Sequence, residues 1–486
     1  MKKIAVIFLC LVILFISGCR KDENINPDFG GEIKLFAYTP DTLNPLATEY
    51  KTNASLLTAL IYKTPVVVNP DFSVTPCLAE SWTFTDDGKT CILKIRSDVL
   101  FSDGTPLTAA HVKSSMDEAM RNEGNLYYGI TKYVESSNAT QNTLTLNLKS
   151  SGTGVLSYLN FPVIKDFESL LGCGPYVLAE KTKNGLTLNA VTADNAAFKP
   201  NIAKAYIKFY PKSEMWANGF LTSETDVISA NMTILSKLTS KTNVTTKDFT
   251  TDTFTYLGFN NESTILPDEN ARKAIGYLID KSGMLDTLFV GYALNTNSPY
   301  KPGTAYSGLC DGDFNYNPEL AKEYLSNSNA EYLNFTILIN EESDTKRKVA
   351  DYIAEKLNEN GMYVTVTALP YDEYLKSIAE KNYTIYIGEI NISPDQDFKF
   401  LLHSAYNNLS YNNSYMDELL DNFSKETNEQ QKAVFAQEIQ NQLLNQAPII
   451  SLYYQTNVFM VNDNIKGDFS PSPNNLYQGI ETWIAK

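Results

Sequence analysis

The stretch from Pro76 to Ala119 constrains the fold most, because three elements follow one another in it without a gap. Aromatic residues alternate with threonines from Trp82 to Phe84, and apolar residues recur at every second position from Cys91 to Ile95, so two strands are predicted. Asp86-Asp87-Gly88 lies between them and consists of turn-forming residues, which makes the pair a β-hairpin. Apolar residues spaced by three and four predict an amphipathic helix from Ala109 to Ala119.

The order of residues in this stretch resembles that of a known family. LAESW, then DDGKT, then LKIRSDVLFSDGTPLTAAHV are similar to the peptide/nickel-type, family 5 extracellular solute-binding lipoproteins of ABC importers, in the oligopeptide-binding class. The resemblance continues in Gly172–Tyr176 (GCGPY) and in Arg272–Asp280 (RKAIGYLID). It implies an α/β fold: a two-lobed, periplasmic-binding-protein-like clamp with the extra domain of the large, three-domain class.

The same resemblance implies where the domains begin and end. The first lobe is expected to be discontinuous and to comprise residues 31–60, 160–255 and 463–486. The extra domain is expected at 61–159 and the second lobe at 256–462. A chain of 486 residues is too long for one ordinary core, which agrees with a division into two or three lobes.

Composition excludes some partners. Hydrophobic residues make up 43% and charged residues 20% of the chain, as in a globular protein. The formal net charge of −16 repels nucleic acid and anionic lipid, so we expect neither as a ligand.

The amino terminus is predicted to be a lipoprotein signal peptide, residues 1–18. Lys2 and Lys3 precede an apolar run from Ile4 to Phe15 that is short for a spanning helix. Ile16-Ser17-Gly18-Cys19 then looks like a bacterial lipobox, in which Cys19 would carry the lipid. Residues 19–30 would be a tether, which places the protein in the bacterial cell envelope, on the outer face of the cytoplasmic membrane or the periplasmic side. A plain secretory signal with an incidental cysteine is the alternative.

Four cysteines remain after Cys10 leaves with the signal and Cys19 takes lipid: Cys77, Cys91, Cys173 and Cys310. Export permits disulfides, but four cysteines allow three pairings and their spacing selects none. Free, buried thiols stay equally open.

The sequence contains few residues or motifs that indicate catalysis, and the chain is predicted not to be an enzyme. The only two histidines are His111 and His403, and neither a metal-binding nor a nucleotide-binding motif is present. Adjacent acids such as Asp86-Asp87 lie in turns, whereas a glycosidase needs two acids across a cleft. No cofactor or metal is predicted.

Binding is better supported, and the family resemblance suggests where. Its peptide-binding members usually carry Gly-Trp and then an Asp that holds the ligand's ammonium group, followed by a second acid. Here Glu389 takes the place of the Trp and Ile392 that of the ammonium-binding Asp, while Asp395 aligns with the second acid. Glu389 or Asp395 could replace the missing carboxylate, or the ligand could lack an ammonium group.

The predicted ligand-binding residues lie in three segments. An early loop contributes the TLN sequence, the segment after the strand at 383–390 contributes polar residues, and an apolar strand near the carboxyl end contributes two tyrosines. A surface turn is the alternative for the first segment, and a helix cap is the alternative for the acid of the second. The residues are Thr42, Leu43, Asn44, Glu389, Asn391, Asp395, Tyr453 and Tyr454.

These observations predict an extracytoplasmic binding protein, monomeric, that captures an oligopeptide or similar small solute between its lobes. It would deliver the solute to ABC permease subunits that are driven by a separate ATPase. Ligands of other classes stay open: a nickel or haem chelate, or an oligosaccharide. A peptide-sensing surface lipoprotein without transport, or a surface hydrolase, are further alternatives.

Overall fold

The computed structural model of the chain describes residues 31–40, 42–47, 54–169, 171–191, 197–330, 333–406 and 409–486. The predicted signal peptide, Cys19 and the predicted tether lie outside the described residues. The described ranges contain both strands and helices, and the helices are mixed with the strands along the chain, which confirms the predicted α/β class.

Nineteen strands are present in the described part of the chain: β1 Glu32–Tyr38, β2 Val66–Val68, β3 Val74–Pro76, β4 Ala79–Phe84, β5 Thr90–Ile95, β6 Val134–Ala139, β7 Thr143–Leu148, β8 Tyr176–Thr182, β9 Gly185–Ala190, β10 Lys204–Tyr210, β11 Val227–Ala230, β12 Val244–Phe259, β13 Ala293–Asn295, β14 Asn334–Asn340, β15 Tyr363–Leu369, β16 Ile385–Asn391, β17 Ile449–Asn462, β18 Ile465–Lys466 and β19 Ile484–Ala485.

The α-helices of the same residues are α1 Ala54–Ile61, α2 Ala109–Ala119, α3 Trp216–Leu221, α4 Met232–Leu235, α5 Glu269–Leu278, α6 Lys281–Phe289, α7 Pro318–Ser326, α8 Asp344–Glu359, α9 Tyr371–Ala379, α10 Lys399–Leu402, α11 Ser414–Lys425 and α12 Glu429–Gln446. None of these helices is both long and apolar enough to cross a membrane.

The predicted hairpin and helix of residues 76–119 are confirmed. β4 and β5 pair antiparallel around a turn in which Gly88 has a φ of +65°, a conformation that suits glycine. α2 follows and buries the predicted apolar face, including Val112 and Met116. With β6 and β7 the hairpin forms an antiparallel sheet in the order β4-β5-β7-β6. This sheet lies wholly within the range predicted for the extra domain.

A second sheet, in the order β1-β10-β9-β8, brings the start of the chain beside residues 176–210. β1 runs parallel to β10, and the carboxyl-terminal segment packs against it, because the Tyr477 hydroxyl donates a hydrogen bond of 2.7 Å to the carbonyl oxygen of Phe36. One continuous hydrophobic core joins this sheet to the sheet that contains β4.

The largest sheet has seven strands in the order β11-β17-β12-β16-β14-β15, with β13 paired to β17. β14 and β15 are parallel and are connected by α8, so the three elements form a βαβ unit. α8 packs on the sheet through Val349, Ile353 and Leu357, all fully buried. Residues of this sheet and its helices form two further hydrophobic cores.

β12 and β17 pass from one core to another as an antiparallel two-stranded ribbon. Phe249 and Val458 belong to the core of the amino-terminal sheets, whereas Leu257 and Ile450 belong to a core of the largest sheet. The register of the two strands shifts between Thr250 and Phe254, where a bulge interrupts their pairing. Two adjacent strands therefore connect the two halves of the molecule. One half contains the β1 and β4 sheets, and the other contains the largest sheet with its helices. A pair of connecting strands is an arrangement in which a hinge can act.

Candidate ligand-binding cleft

A cavity of about 520 Å³ lies between the two halves, beside the bulge in β12. This volume falls within the range of small-ligand sites. Its wall includes β2 with the loop that follows it, the bulge at 251–253, the end of β16 with the segment after it, and residues 472–475 near the carboxyl end.

The bulge places Asp252 in the cavity wall. The Asp252 carbonyl oxygen accepts a hydrogen bond of 2.8 Å from the backbone N–H of Ile392, which ties the bulge to the segment after β16. Its carboxylate forms an ion pair of 2.6 Å with Lys301, and its second oxygen accepts a hydrogen bond of 3.0 Å from the Asn474 amide. Burial raises the pKa of Asp252, although Lys301 and the Asn474 amide act in the opposite direction.

Lys301 is the cation of this wall, and its side chain is only 3% exposed. Its ammonium nitrogen lies 4.8 Å from the centre of the Phe72 ring, within the range of a cation–π contact. Asp252 and Lys301 therefore neutralise each other, and the charged groups of the wall are paired within the protein.

The remaining residues of the wall are uncharged; some are apolar and others are polar. Val66, Val67 and Val68 of β2 contribute apolar surface, and β2 pairs with β3 on one side only among the described strands. Five asparagines, Asn69, Asn160, Asn391, Asn474 and Asn475, contribute amide groups that can both donate and accept hydrogen bonds.

Two positions singled out in the sequence lie on this cavity. Asn391 lines it, and its amide oxygen accepts a hydrogen bond of 2.9 Å from the Thr253 hydroxyl. Ile392 lines it beside Asn391 and is only 3% exposed. The position that aligns with the family's ammonium-binding Asp therefore brings no charge to the cleft, and its side chain is buried in a hydrophobic core of the largest sheet.

Glu389 lies in a second cavity, of about 360 Å³, among aromatic side chains of the largest sheet and its helices. It forms an ion pair of 3.3 Å with Lys346, whose ammonium group also donates a hydrogen bond of 2.9 Å to the Asn340 amide oxygen. Glu389 thus has a protein partner and does not line the larger cavity.

Asp395 is buried at a contact between residues 132–133 and the segment after β16. Lys132 donates a hydrogen bond of 3.0 Å to it, and the hydroxyls of Tyr133 and Ser393 also donate to its carboxylate. Burial alone would raise the pKa of Asp395, but the charge of Lys132 and these hydrogen bonds lower it below its usual range. Lys132 also pairs with Asp397 at 2.8 Å.

The early loop and the two tyrosines lie away from the described wall of the larger cavity. The Thr42 hydroxyl and the Asn44 amide oxygen accept backbone hydrogen bonds within their own turn, and Leu43 is buried in the core. Tyr453 and Tyr454 are both fully buried, and the Tyr454 hydroxyl donates to the carbonyl oxygen of Pro299. Ligand contact by these five residues stays a prediction.

Comparisons with known proteins identify the family. The model of the bacterial extracellular solute-binding proteins, family 5 (middle region), matches residues 73–412. The chain belongs to this family. It is therefore the extracytoplasmic solute-binding component of an ABC importer.

Among relatives, this family 5 protein is 22% identical over 419 residues to the probable D,D-dipeptide-binding periplasmic protein DdpA of Escherichia coli K12, a match that covers 80% of this chain and 81% of DdpA. Its fold is similar to that of HbpA2 from Haemophilus parasuis, with a TM-score of 0.83, 17% identity and coverage of 94% and 100% of the two chains. The unliganded open form of MppA, a periplasmic murein tripeptide-binding protein, gives a TM-score of 0.82, 20% identity and coverage of 94% and 97%. The predicted two-lobed clamp with an extra domain is confirmed by these likenesses.

Sequence reasoning missed the charged pair of the cleft in this family 5 protein. Asp252 lies in the threonine-rich run TTDT, which carries no family motif, and Lys301 follows a Pro-Tyr pair in a loop. The two residues are 49 positions apart, and Asn474 lies 222 positions from Asp252. Only the fold brings them together.

The two histidines have structural partners. The Nδ1 atom of His111 accepts a hydrogen bond of 3.1 Å from the Thr108 backbone N–H at the start of α2. His403 lies 3.6 Å from Asp417. In the described ranges, no group of three or more His, Cys, Asp or Glu side chains could hold a metal ion, and Cys77, Cys91, Cys173 and Cys310 are free thiols.

Proposed function

We propose that this family 5 protein captures oligopeptides in the cleft between its halves and delivers them to an ABC permease without making or breaking a bond in them. The observation that carries this proposal is the neutral, amide-lined cavity. A peptide main chain offers one donor and one acceptor at most residues, and asparagine amides can satisfy both. The dipeptide relative and the tripeptide-binding fold neighbour support the same ligand class.

The mechanism that we infer is a shift between open and closed forms. A solute in the cavity contacts Val66–Val68 on one side and Thr251–Thr253 and Asn391 on the other. Because these contacts form together only when the halves approach, the solute stabilises the closed form that the permease recognises. The β12–β17 ribbon supplies the hinge for this movement.

We further propose that the protein acts as a monomer held at the membrane by lipid on Cys19. The lipobox-like ISGC sequence supports the anchor. The expected result for Cys19→Ala is release of the protein from the membrane fraction of the host cell. Continued co-sedimentation of the variant with membranes would contradict the anchor.

A binding experiment tests the peptide proposal. Protein released from its tether is purified without denaturation, and the compounds that leave it on heating are identified by mass spectrometry. A series of short peptides is expected. Binding of a tripeptide library is then compared between wild type, Asn391→Ala, which removes an amide from the wall, and Asn184→Ala, an exposed control on another sheet.

Asn391→Ala is expected to weaken binding about fivefold to tenfold, the cost of one hydrogen bond of about 1 kcal/mol, while Asn184→Ala binds as wild type does. A sugar or a metal chelate as the sole released compound, together with no binding of the library, would rule out the peptide proposal.

A further inference from the structure

The charges of the residues that line the larger cavity restrict the class of ligand more than the shape of the cavity does. Among the described residues that line the larger cavity, Asp252 and Lys301 are the two with charged side chains. They bind each other at 2.6 Å, and the second carboxylate oxygen of Asp252 accepts from Asn474. A charged group on the ligand would have to break this buried pair in order to gain a partner.

Acids outside the larger cavity are also occupied. Asp395 and Asp397 both contact the ammonium group of Lys132, at 3.0 and 2.8 Å, and are almost fully buried. Glu389 pairs with Lys346 in the second cavity. The protein thus supplies its own cation to each of these carboxylates.

Neutral hydrogen-bonding groups of the wall, by contrast, keep capacity for a ligand. The amide oxygen of Asn475 is buried and has no hydrogen-bond partner in the described part of the chain. A buried polar group without a partner is costly, so a ligand N–H that reached this oxygen would gain binding energy. This oxygen can accept from a donor on the ligand, but as a neutral group it brings no negative charge that would compensate a buried ammonium group.

Ile392 gives an independent, local reason for the same preference. It is 3% exposed, it lines the cavity, and its backbone N–H is already bonded to Asp252. Because this residue brings no carboxylate to the wall, an ammonium group of the ligand that was enclosed here would be buried without a partner, which is strongly unfavourable.

We propose that the cleft selects solutes that carry no charge in their enclosed part, and that among peptides it prefers those whose ends are blocked over those with free termini. This inference rests on the proposed peptide function and names the ligand class within it. Recognition would come from neutral amide groups of the ligand, which the asparagines of the wall can pair with.

The test compares two tripeptide libraries of the same sequences. In one the peptides have free termini, and in the other they are N-acetylated and C-amidated. Binding to the full, mature protein is measured by equilibrium dialysis with mass spectrometry. The blocked library is expected to bind on the order of tenfold more tightly, because the free ends would be buried without partners.

A matched pair of variants tests whether the lack of a free carboxylate in the wall causes this preference for blocked peptides. Ile392→Asp places a carboxylate at position 392, beside the wall, and Ile392→Asn places a neutral amide of the same shape there. The Asp variant is expected to shift the preference toward free amino termini relative to the Asn variant. Asn391→Asp, at an exposed position of the same wall, repeats the test against wild type if the change at the buried position prevents folding.

The outcomes separate the two proposals. Tighter binding of the free-ended library by wild type would overturn the inference and leave the peptide function standing. An unchanged preference in the aspartate variants would also overturn it, because a carboxylate in the wall must then be irrelevant to selection. Binding of neither library would remove the peptide function, and the inference with it.

Discussion

Lys281 shows how one buried charge is held without a carboxylate. It is the first residue of α6 and is 3% exposed. Its ammonium group donates to the Thr296 carbonyl oxygen at 3.2 Å and to the Asn297 amide oxygen at 2.6 Å. Burial lowers the pKa of Lys281 to about 8, and the more distant charges of Asp313 and Cys310 offset only part of this effect.

This pKa predicts a specific pH dependence of stability. Below about pH 8 the lysine is protonated in both the folded and the unfolded chain, and the fold bears the full cost of burying the charge. Between that pH and the unfolded pKa of about 10.4, the unfolded chain binds more protons, so the free energy of unfolding rises with pH. The contribution amounts to about 3 kcal/mol over this interval.

Chemical denaturation of wild type and Lys281→Met at a series of pH values measures this contribution. The stability of wild type relative to the variant is expected to increase from pH 7 to pH 10. Lys183→Met, which removes an exposed lysine in the β8–β9 turn, controls for the loss of one positive charge. A difference that stays constant or decreases over this range would contradict the assignment.

At the scale of elements, the sequence predicts best those segments whose periodicity reflects a single buried face. The β4–β5 hairpin, α2 and the β14–α8–β15 unit follow from alternation, turn residues and helical spacing. α11 has no predicted counterpart, although it buries Met416, Leu419, Leu420 and Phe423 at helical spacing.

β12 shows why other segments escape prediction. The strand runs from Val244 to Phe259, but the family resemblance places only the start of the second lobe here, at residue 256, and no strand. Residues 244–253 are mostly polar because they form the ribbon between two cores and, at the bulge, the wall of a cavity. Because these residues are polar, β12 lacks here the alternation of apolar residues from which strands are predicted.

The residues of the candidate site also differ in whether the sequence can predict them. Asn391 and Ile392 could be placed at the cleft because they lie in one segment that the family resemblance covers. Asp252, Lys301 and Asn474 could not, because their contact depends on three separate segments meeting at the bulge. Long-range contacts of this kind have no signature in a single sequence.

At the scale of the molecule, the contacts around Asp395 join the sheet domain that contains β4 to the half that contains the largest sheet. Lys132 contacts both Asp395 and Asp397, and the Ser151 hydroxyl donates a hydrogen bond of 3.0 Å to the carbonyl oxygen of Lys425 nearby. The paired residues belong to different halves, so these contacts hold the two halves against each other.

Removal of the Lys132 charge is therefore predicted to favour opening. In Lys132→Met, two nearly buried carboxylates lose their cation. Because the Lys132 side chain is 46% exposed, the cost is below the value of about 3–5 kcal/mol for breaking a fully buried pair. Separation of the halves returns both carboxylates to water and relieves most of that cost. We expect a larger radius of gyration by small-angle X-ray scattering without ligand, and weaker ligand binding.

Lys113→Met is the matched control, because Lys113 makes a partly exposed ion pair with Asp117 on α2 of the same domain, away from the other half. Its radius of gyration should equal that of wild type. The lowered pKa of Asp395 adds a second readout: its stabilising contribution is present at neutral pH and is lost as pH falls through that lowered pKa. Wild type should therefore approach the scattering of Lys132→Met in acid, and equal radii for the two proteins at neutral pH would show that this ion pair does not hold the halves together.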